Sequence, residues 1–263
     1  MLSKYRVNQL VFLTSSVGYC ALFWLVSTRQ LSWAWGLLAA GASTLCLHYL
    51  LNLVHIGAHN LLSKKRRLNS LFGNLAGFFG GVTFADFRLT HLQHHRYLDD
   101  PERDPDYFIT NSGPWFTIPF KIFYHDVFFF RKELYKSQNS WKTYLATRLG
   151  QIGAVALLFA SDLGSTWITY WLLPMLGLGL LNGLFLFYFP HYIPRIERSW
   201  RQNPKFWNAP LRLLIDVSRV FHEHHHDRIQ ANLNYYPVLA TLDYWQKHKS
   251  VDFKFHHRYT KAA

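Results

Sequence analysis

Residues 30–63 read QLSWAWGLLAAGASTLCLHYLLNLVHIGAHNLLS, a stretch without a single Asp, Glu, Lys or Arg. About 20 consecutive apolar residues are enough to cross the hydrocarbon core of a bilayer. The first two thirds of this stretch show no polar face at helical period, as a helix on a soluble core would. The end of the stretch carries His55 and His59, four residues apart and therefore on one face of a helix. A span near 31–54 that finishes in two facing imidazoles sets the theme for the whole chain.

The same composition recurs on either side. Residues 7–28, 68–85, 149–161 and 163–194 are also free of charged side chains. Over 263 residues half are hydrophobic, 18% are aromatic and only 16% are charged. Soluble domains carry about 25% charged residues. We read spans near 8–27, 31–54, 144–161 and 165–189, which makes the fold class an all-α integral membrane protein. It is expected to have about four transmembrane helices, interfacial helices and a cytoplasmic histidine-rich cap. Lys4 and Arg6 precede the first span, but no small-residue cleavage site comes after it, so the segment reads as a retained anchor. Cys20 and Cys46 both fall inside spans, which argues against a disulfide framework.

The placement of the +13 net charge gives an orientation. The connector between the first two spans holds a lone Arg29, and that between the last two holds Asp162 with no basic residue. The other basic residues lie in the N-terminal tail, in 56–149, including Lys64-Lys65-Arg66-Arg67, or in 195–263. The positive-inside rule then puts these three regions, with both termini, on the cytoplasmic side. No basic stripe stands apart from the membrane flanks, which excludes a nucleic-acid reading. The uncharged 68–85 run, with four glycines, Asn69 and Asn74, is expected to be a re-entrant or interfacial hairpin. Residues 115–133 mix Phe and Trp with Lys121, Arg131 and Lys132, as a helix in the headgroup plane does. With no repeat or linker, residues 1–263 read as one domain.

Of fifteen histidines, eight form three clusters: His55 and His59; His91, His94 and His95; and His222, His225 and His226. Imidazole is the common protein ligand for iron, zinc and copper. Eight convergent nitrogens exceed the needs of one ion, so the arithmetic favours two. On the deduced topology all three clusters meet at one membrane face. His191 ends the fourth span at that face and is read as a ninth ligand, the alternative being a histidine that reaches out to interfacial water. His48 lies deeper in the second span and is read as structural. His224 points away from its neighbours. His125, His248, His256 and His257 are expected to face solvent.

After the second cluster the chain continues through Asp100-Pro101-Glu102-Arg103-Asp104-Pro105-Asp106. A carboxylate beside a ligating histidine commonly accepts its second ring N–H and fixes its orientation. Asp104 and Asp106 are candidates for that role, and helix capping is the alternative.

These clusters, in this order and interleaved with four spans, resemble the membrane fatty acid desaturase and hydroxylase superfamily, which includes carotenoid ketolases and hydroxylases. The string His91-Leu92-Gln93-His94-His95-Arg96, together with the acidic run after it, is especially close to its second histidine box, and the resemblance covers about residues 45–237. The resemblance implies two iron ions held almost wholly by histidine, O2 as co-substrate and a lipid substrate. A fatty acyl chain fits best, with a carotenoid as the alternative. It also supports His191 as an extra ligand. Two features depart from the pattern. Asp227-Arg228-Ile229-Gln230 succeeds the third cluster where a Leu-Phe-Pro-like run is usual, and Phe187 stands where an Asn is often found. Electrons are expected from a separate carrier, a ferredoxin or a cytochrome b5-like protein, steered to a basic face. A reading of a different class is an intramembrane zinc protease, since His222-Glu223-x-x-His226 satisfies H-E-x-x-H. That reading leaves the other two clusters unexplained.

Overall fold

The computed structural model describes residues 3–182, apart from positions 99, 112, 113, 115, 116, 122 and 123. Every regular element among the described residues is helical. Three helices are long and apolar enough to cross a membrane: α1, Lys4–Thr28, of 25 residues; α2, Trp33–Ala58, of 26; and α8, Ser140–Ala160, of 21. Between α2 and α8 lie α3 (Arg66–Phe79), α4 (Phe84–Arg96), α5 (Pro105–Asn111), α6 (Ile118–Lys121) and α7 (Tyr124–Arg131), then a 3-10 turn at Leu134–Asn139. The segment expected as a fourth span is described as far as Asn182. There α9 is built from an α turn at Gly164–Trp167, a π-helical segment at Ile168–Leu172 and α-helix again at Leu173–Asn182. The rest of that segment, His191 and the third histidine cluster lie outside the described residues.

Helices α1 and α2 form an antiparallel hairpin, and α2 is the central element, packed on α1, α3, α4 and the second half of α9. Tyr19, Leu47 and Leu178 fill the middle of this bundle. Leu50, Leu53, Val54, Ile56, Leu61, Leu62, Ala76 and Phe84 form the core under the end of α2. The Phe84 ring is wedged against two glycines. A Cβ on Gly57 would stand 3.0 Å from its ring, and one on Gly73 2.7 Å. A larger residue at Gly57 would push α4 away from α2, and one at Gly73 would push it away from α3.

The end of α2 is closed by a Schellman motif. Leu61 N–H donates to Ile56 C=O (3.2 Å) and Asn60 N–H to Gly57 C=O (2.9 Å), with Asn60 in the left-handed region at φ 60°. Asn is the residue after Gly that best tolerates this position. The hydrophobic pair that accompanies such a cap is Ile56 with Leu61, both fully buried. Two buried asparagines then hold the loop. Asn8 of α1 donates to Leu61 C=O at 2.8 Å. Asn69 of α3 accepts from Leu62 N–H at 3.0 Å and donates to Gly57 C=O at 2.9 Å.

The 68–85 region is a helix, a tight turn and the start of α4. α3 buries Asn69, Gly73, Ala76 and Gly77 and exposes Leu68, Leu71, Leu75 and Phe78. An apolar outward face at helical spacing suits the bilayer interface. The turn after α3, with Gly81 at φ 65°, is tied to α8: Arg148 donates to Gly81 C=O (2.8 Å) and Gln151 to Gly77 and Val82 C=O (3.2 and 3.3 Å). In the 115–133 stretch, α7 buries His125, Phe128 and Phe129, with Phe129 stacked on Tyr144 of α8. His125 is 6% exposed, which corrects the expectation that it faces solvent: α7 turns inward onto α4.

Removing the Asn69 side chain, as in Asn69→Leu, strands the Leu62 N–H and takes from the Gly57 C=O one of its donors. One orphaned buried group costs about 1–3 kcal/mol. Thermal unfolding in detergent is expected to fall by several degrees, and an unchanged midpoint would show that the loop is held without it. A second expectation concerns pH. Burial, and next the neighbouring Asp126 carboxylate, raise the pKa of Asp86 to about 8 from the usual 3.8. A carboxyl that holds its proton more tightly when folded stabilises most below its unfolded pKa, and that stability is lost as pH rises through the folded value. Above about pH 6.5, where His59 and His95 are neutral both folded and unfolded, wild-type unfolding midpoints should therefore decline towards pH 8. In Asp86→Asn, which cannot ionise, that decline is expected to flatten.

Candidate metal centre

Four histidines from two helices meet where α2 ends. His55 projects from the last turn of α2, and His59 is its C-cap residue. His91 and His95 lie one helical turn apart on α4. One ring nitrogen from each of the four falls within 4.8 Å of all the others. His91 Nε2 lies 2.9 Å from His59 Nε2 and 3.0 Å from His95 Nε2. A ligating imidazole nitrogen stands about 2.0–2.1 Å from a borderline divalent ion. Two such nitrogens at right angles on one ion are therefore about 3 Å apart. The spacing and the all-nitrogen donor set fit a bound transition metal.

The electrostatics agree. Burial pulls the pKa of His59 down to about 4, and burial together with the neighbouring His59 and His94 pulls that of His95 down to about 3. Both rings are neutral at pH 7, the form whose lone pair can bind a metal. Phe87 stacks on His91 with ring centroids 5.3 Å apart and closes one side with an apolar surface.

His94 belongs to the second predicted cluster, but its Nδ1 turns to the carboxylates: 2.9 Å from Asp104 Oδ1 and 3.3 Å from Asp106 Oδ2, all three residues buried. Its ring centroid is 5.7 Å from that of His95. The same Asp104 Oδ1 accepts from Asp106 N–H at 2.9 Å. Asp104 is thus the N-cap of α5, with Pro105 at the first helical position, where proline is favoured. Capping and orienting a histidine are one role here, since one carboxylate oxygen serves both.

Composition and spacing missed His125. Its Nε2 lies 3.1 Å from Asp106 Oδ1 and its Nδ1 is 2.8 Å from Thr90 Oγ1. Thr90 Oγ1 in turn donates to Asp86 C=O at 2.9 Å. His125 thereby ties α7 to the far side of the Asp106 carboxylate that meets His94. A single histidine in an aromatic, basic stretch carries no spacing signal. Asp126 next to it, which pairs with Arg148 at 2.8 Å, was the available hint that this segment turns inward.

Asp104→Asn keeps a good N-cap residue and removes only the charge behind His94. Changes of this kind typically cost about 10–100-fold in metal affinity. Competition with a coloured chelator should register that loss while helicity stays at the wild-type level. Equal affinity would mean that the Asp104 charge adds nothing to what Asp106 supplies to His94.

Comparison with known proteins agrees with this geometry. The family model described as fatty acid desaturase matches residues 30–256, a range that holds all three histidine clusters. No curated protein and no solved structure matches the chain. With most of its length matched, the chain belongs to the fatty acid desaturase family.

Proposed function

We propose that this protein is a membrane-bound di-iron oxidoreductase that uses O2 to desaturate or hydroxylate an unactivated carbon of a long-chain lipid, with a fatty acyl chain as the favoured substrate. The observation that carries this reading is the convergence of His55, His59, His91 and His95 within 4.8 Å. Membership of a family of desaturase- and hydroxylase-type oxidoreductases supports it.

When bound, the iron ions supply the O2-dependent oxidation of a C–H bond that no amino-acid side chain can attack. The chain's own contribution is to hold, orient and shield. His55, His59, His91 and His95 form the core of the donor set, and His94 adds a ring fixed from behind by Asp104 and Asp106. On this proposal His191, His222, His225 and His226 complete the set for two ions. Phe87 and the buried cluster around Val54, Ile56 and Phe84 exclude water from the side facing the bundle. Exclusion of water protects an oxidation from side reactions. The three candidate spans leave large apolar side chains such as Trp24, Leu38 and Leu157 exposed. An apolar exterior is what a lipid substrate diffusing in the bilayer meets. Hydroxylation consumes O2, two electrons and two protons and releases one water, while desaturation releases two. We assign the electrons to a separate ferredoxin or cytochrome b5-like carrier that docks on the basic, cytoplasmic face.

Full-length protein purified from an iron-supplemented host with a ferredoxin system is expected to contain iron. His91→Ala, which removes the ring closest to two others, is expected to lose most of it. Mass spectrometry of host lipids and pigments should show a new unsaturated or hydroxylated species with wild type and none with His91→Ala. Iron-free wild-type protein together with an unchanged lipid profile would refute the reading. Zinc in place of iron, with activity abolished by Glu223→Gln, would support the protease instead.

A further inference from the structure

A cavity of about 630 Å³ opens beside the histidine cluster, and His59 forms part of its wall. That volume lies within the range of about 300–1,000 Å³ typical of small-molecule sites. Among the described residues its lining is otherwise Tyr5, Asn60, Ser63, Lys64, Arg66 and Arg88. Three of these are cations and none is an acid. The same left-handed turn at Asn60 that presents His59 to the centre shapes the rim.

Arg88 is the informative member. It sits on α4 one turn before His91 and is half-buried. Its Nε is shut off from solvent without a hydrogen-bond acceptor. Burial, and then the like charge of Arg66, push its pKa down. Arg66 opens α3, so the positive end of that helix dipole adds to the local field. A guanidinium that is partly desolvated beside a second guanidinium attracts a negative ligand.

We propose that this cavity seats the anionic end, a carboxylate or a phosphate, of an amphiphilic substrate whose apolar part is oxidised at the adjacent histidine cluster, with Arg88, Arg66 and Lys64 as its counter-charges. The proposal rests on the function proposed above and narrows its substrate class. An uncharged hydrocarbon such as a carotenoid would take the place of water around Lys64 and Arg88 without bringing them a negative charge, which is unfavourable. An acidic carrier protein is the other conceivable source of negative charge. However, while Lys64 and Arg66 are exposed, Arg88 is half-buried, and a small anion reaches it better than the flat face of a protein does.

The test is equilibrium binding to full-length protein in a non-ionic detergent, which requires no turnover. The probes are palmitate, hexadecyl phosphate, hexadecanol and inorganic phosphate, with metal content measured on the same samples. At least one anionic amphiphile is expected to bind tenfold or more tightly than hexadecanol, and its identity distinguishes carboxylate from phosphate. Arg88→Gln and Arg66→Gln should each weaken that probe about tenfold, Arg88→Lys less so, while the exposed Lys142→Gln should leave it unchanged. Wild-type protein that binds hexadecanol as well as palmitate and hexadecyl phosphate overturns the proposal, whatever the variants do. Binding of inorganic phosphate as tight as that of hexadecyl phosphate also overturns it, since the site would then be a free-anion site. So does a loss, in the arginine variants, of reduction by an acidic ferredoxin with amphiphile binding intact. If wild-type protein holds iron and shows no anion preference, only this inference fails. If it shows the preference but holds no iron, the failure lies in the proposed oxidation.

Discussion

The site depends on where α2 stops. His55 lies inside the helix and His59 at its cap, and the ring of His59 meets His91 only because the chain turns at Asn60. Each further residue of regular helix would rotate the downstream chain by about 100°, carrying the start of α3 away from its place beneath Phe84. The stop is fixed locally by two backbone hydrogen bonds and the Ile56–Leu61 contact. It is fixed at longer range by Asn8 and Asn69, which reach the loop from α1 and α3. Four imidazoles with nitrogens this close would otherwise separate to find water. The packing of three helices holds them in place.

A second framework lies behind α4. Asp104 starts α5 and binds His94 with the same oxygen, Asp106 links His94 to His125, and Arg148 fastens α7 and the α3–α4 turn to α8. Apart from Arg148 of α8, the polar side chains of this framework sit on or next to short helices, and the long helices carry the apolar exterior. This division has its origin in solvation. A buried carboxylate or guanidinium needs several partners, and short elements crossing at many angles supply more of them than parallel spans can.

Much of this is legible in the chain. The uncharged runs at 7–28 and 30–63 correspond to α1 and α2, because length and apolar composition alone decide whether a helix can span a bilayer. The pairing of His55 with His59 and of His91 with His95 is a consequence of helical period. The Asp104-Pro105-Asp106 signature can be read either as a cap or as a partner for histidine, and it is both. The burial of His125 is not legible, because nothing in a stretch rich in Phe, Lys and Arg reveals which of its faces turns inward.

Sequence by itself determined the helical character, the long apolar helices α1 and α2, and the pairing of His55 with His59 and of His91 with His95, since these rest on composition and short-range periodicity. Tertiary structure decided three further things: that His94 turns to carboxylates while its neighbours turn to α2, that His125 stands behind Asp106, and that Lys64, Arg66 and Arg88 line one recess beside His59. Each brings together residues from different helices. Their juxtaposition depends on how α2, α3, α4 and α7 pack around Phe84, Asn69 and Phe129, and that is a property of the assembled core which no local pattern encodes.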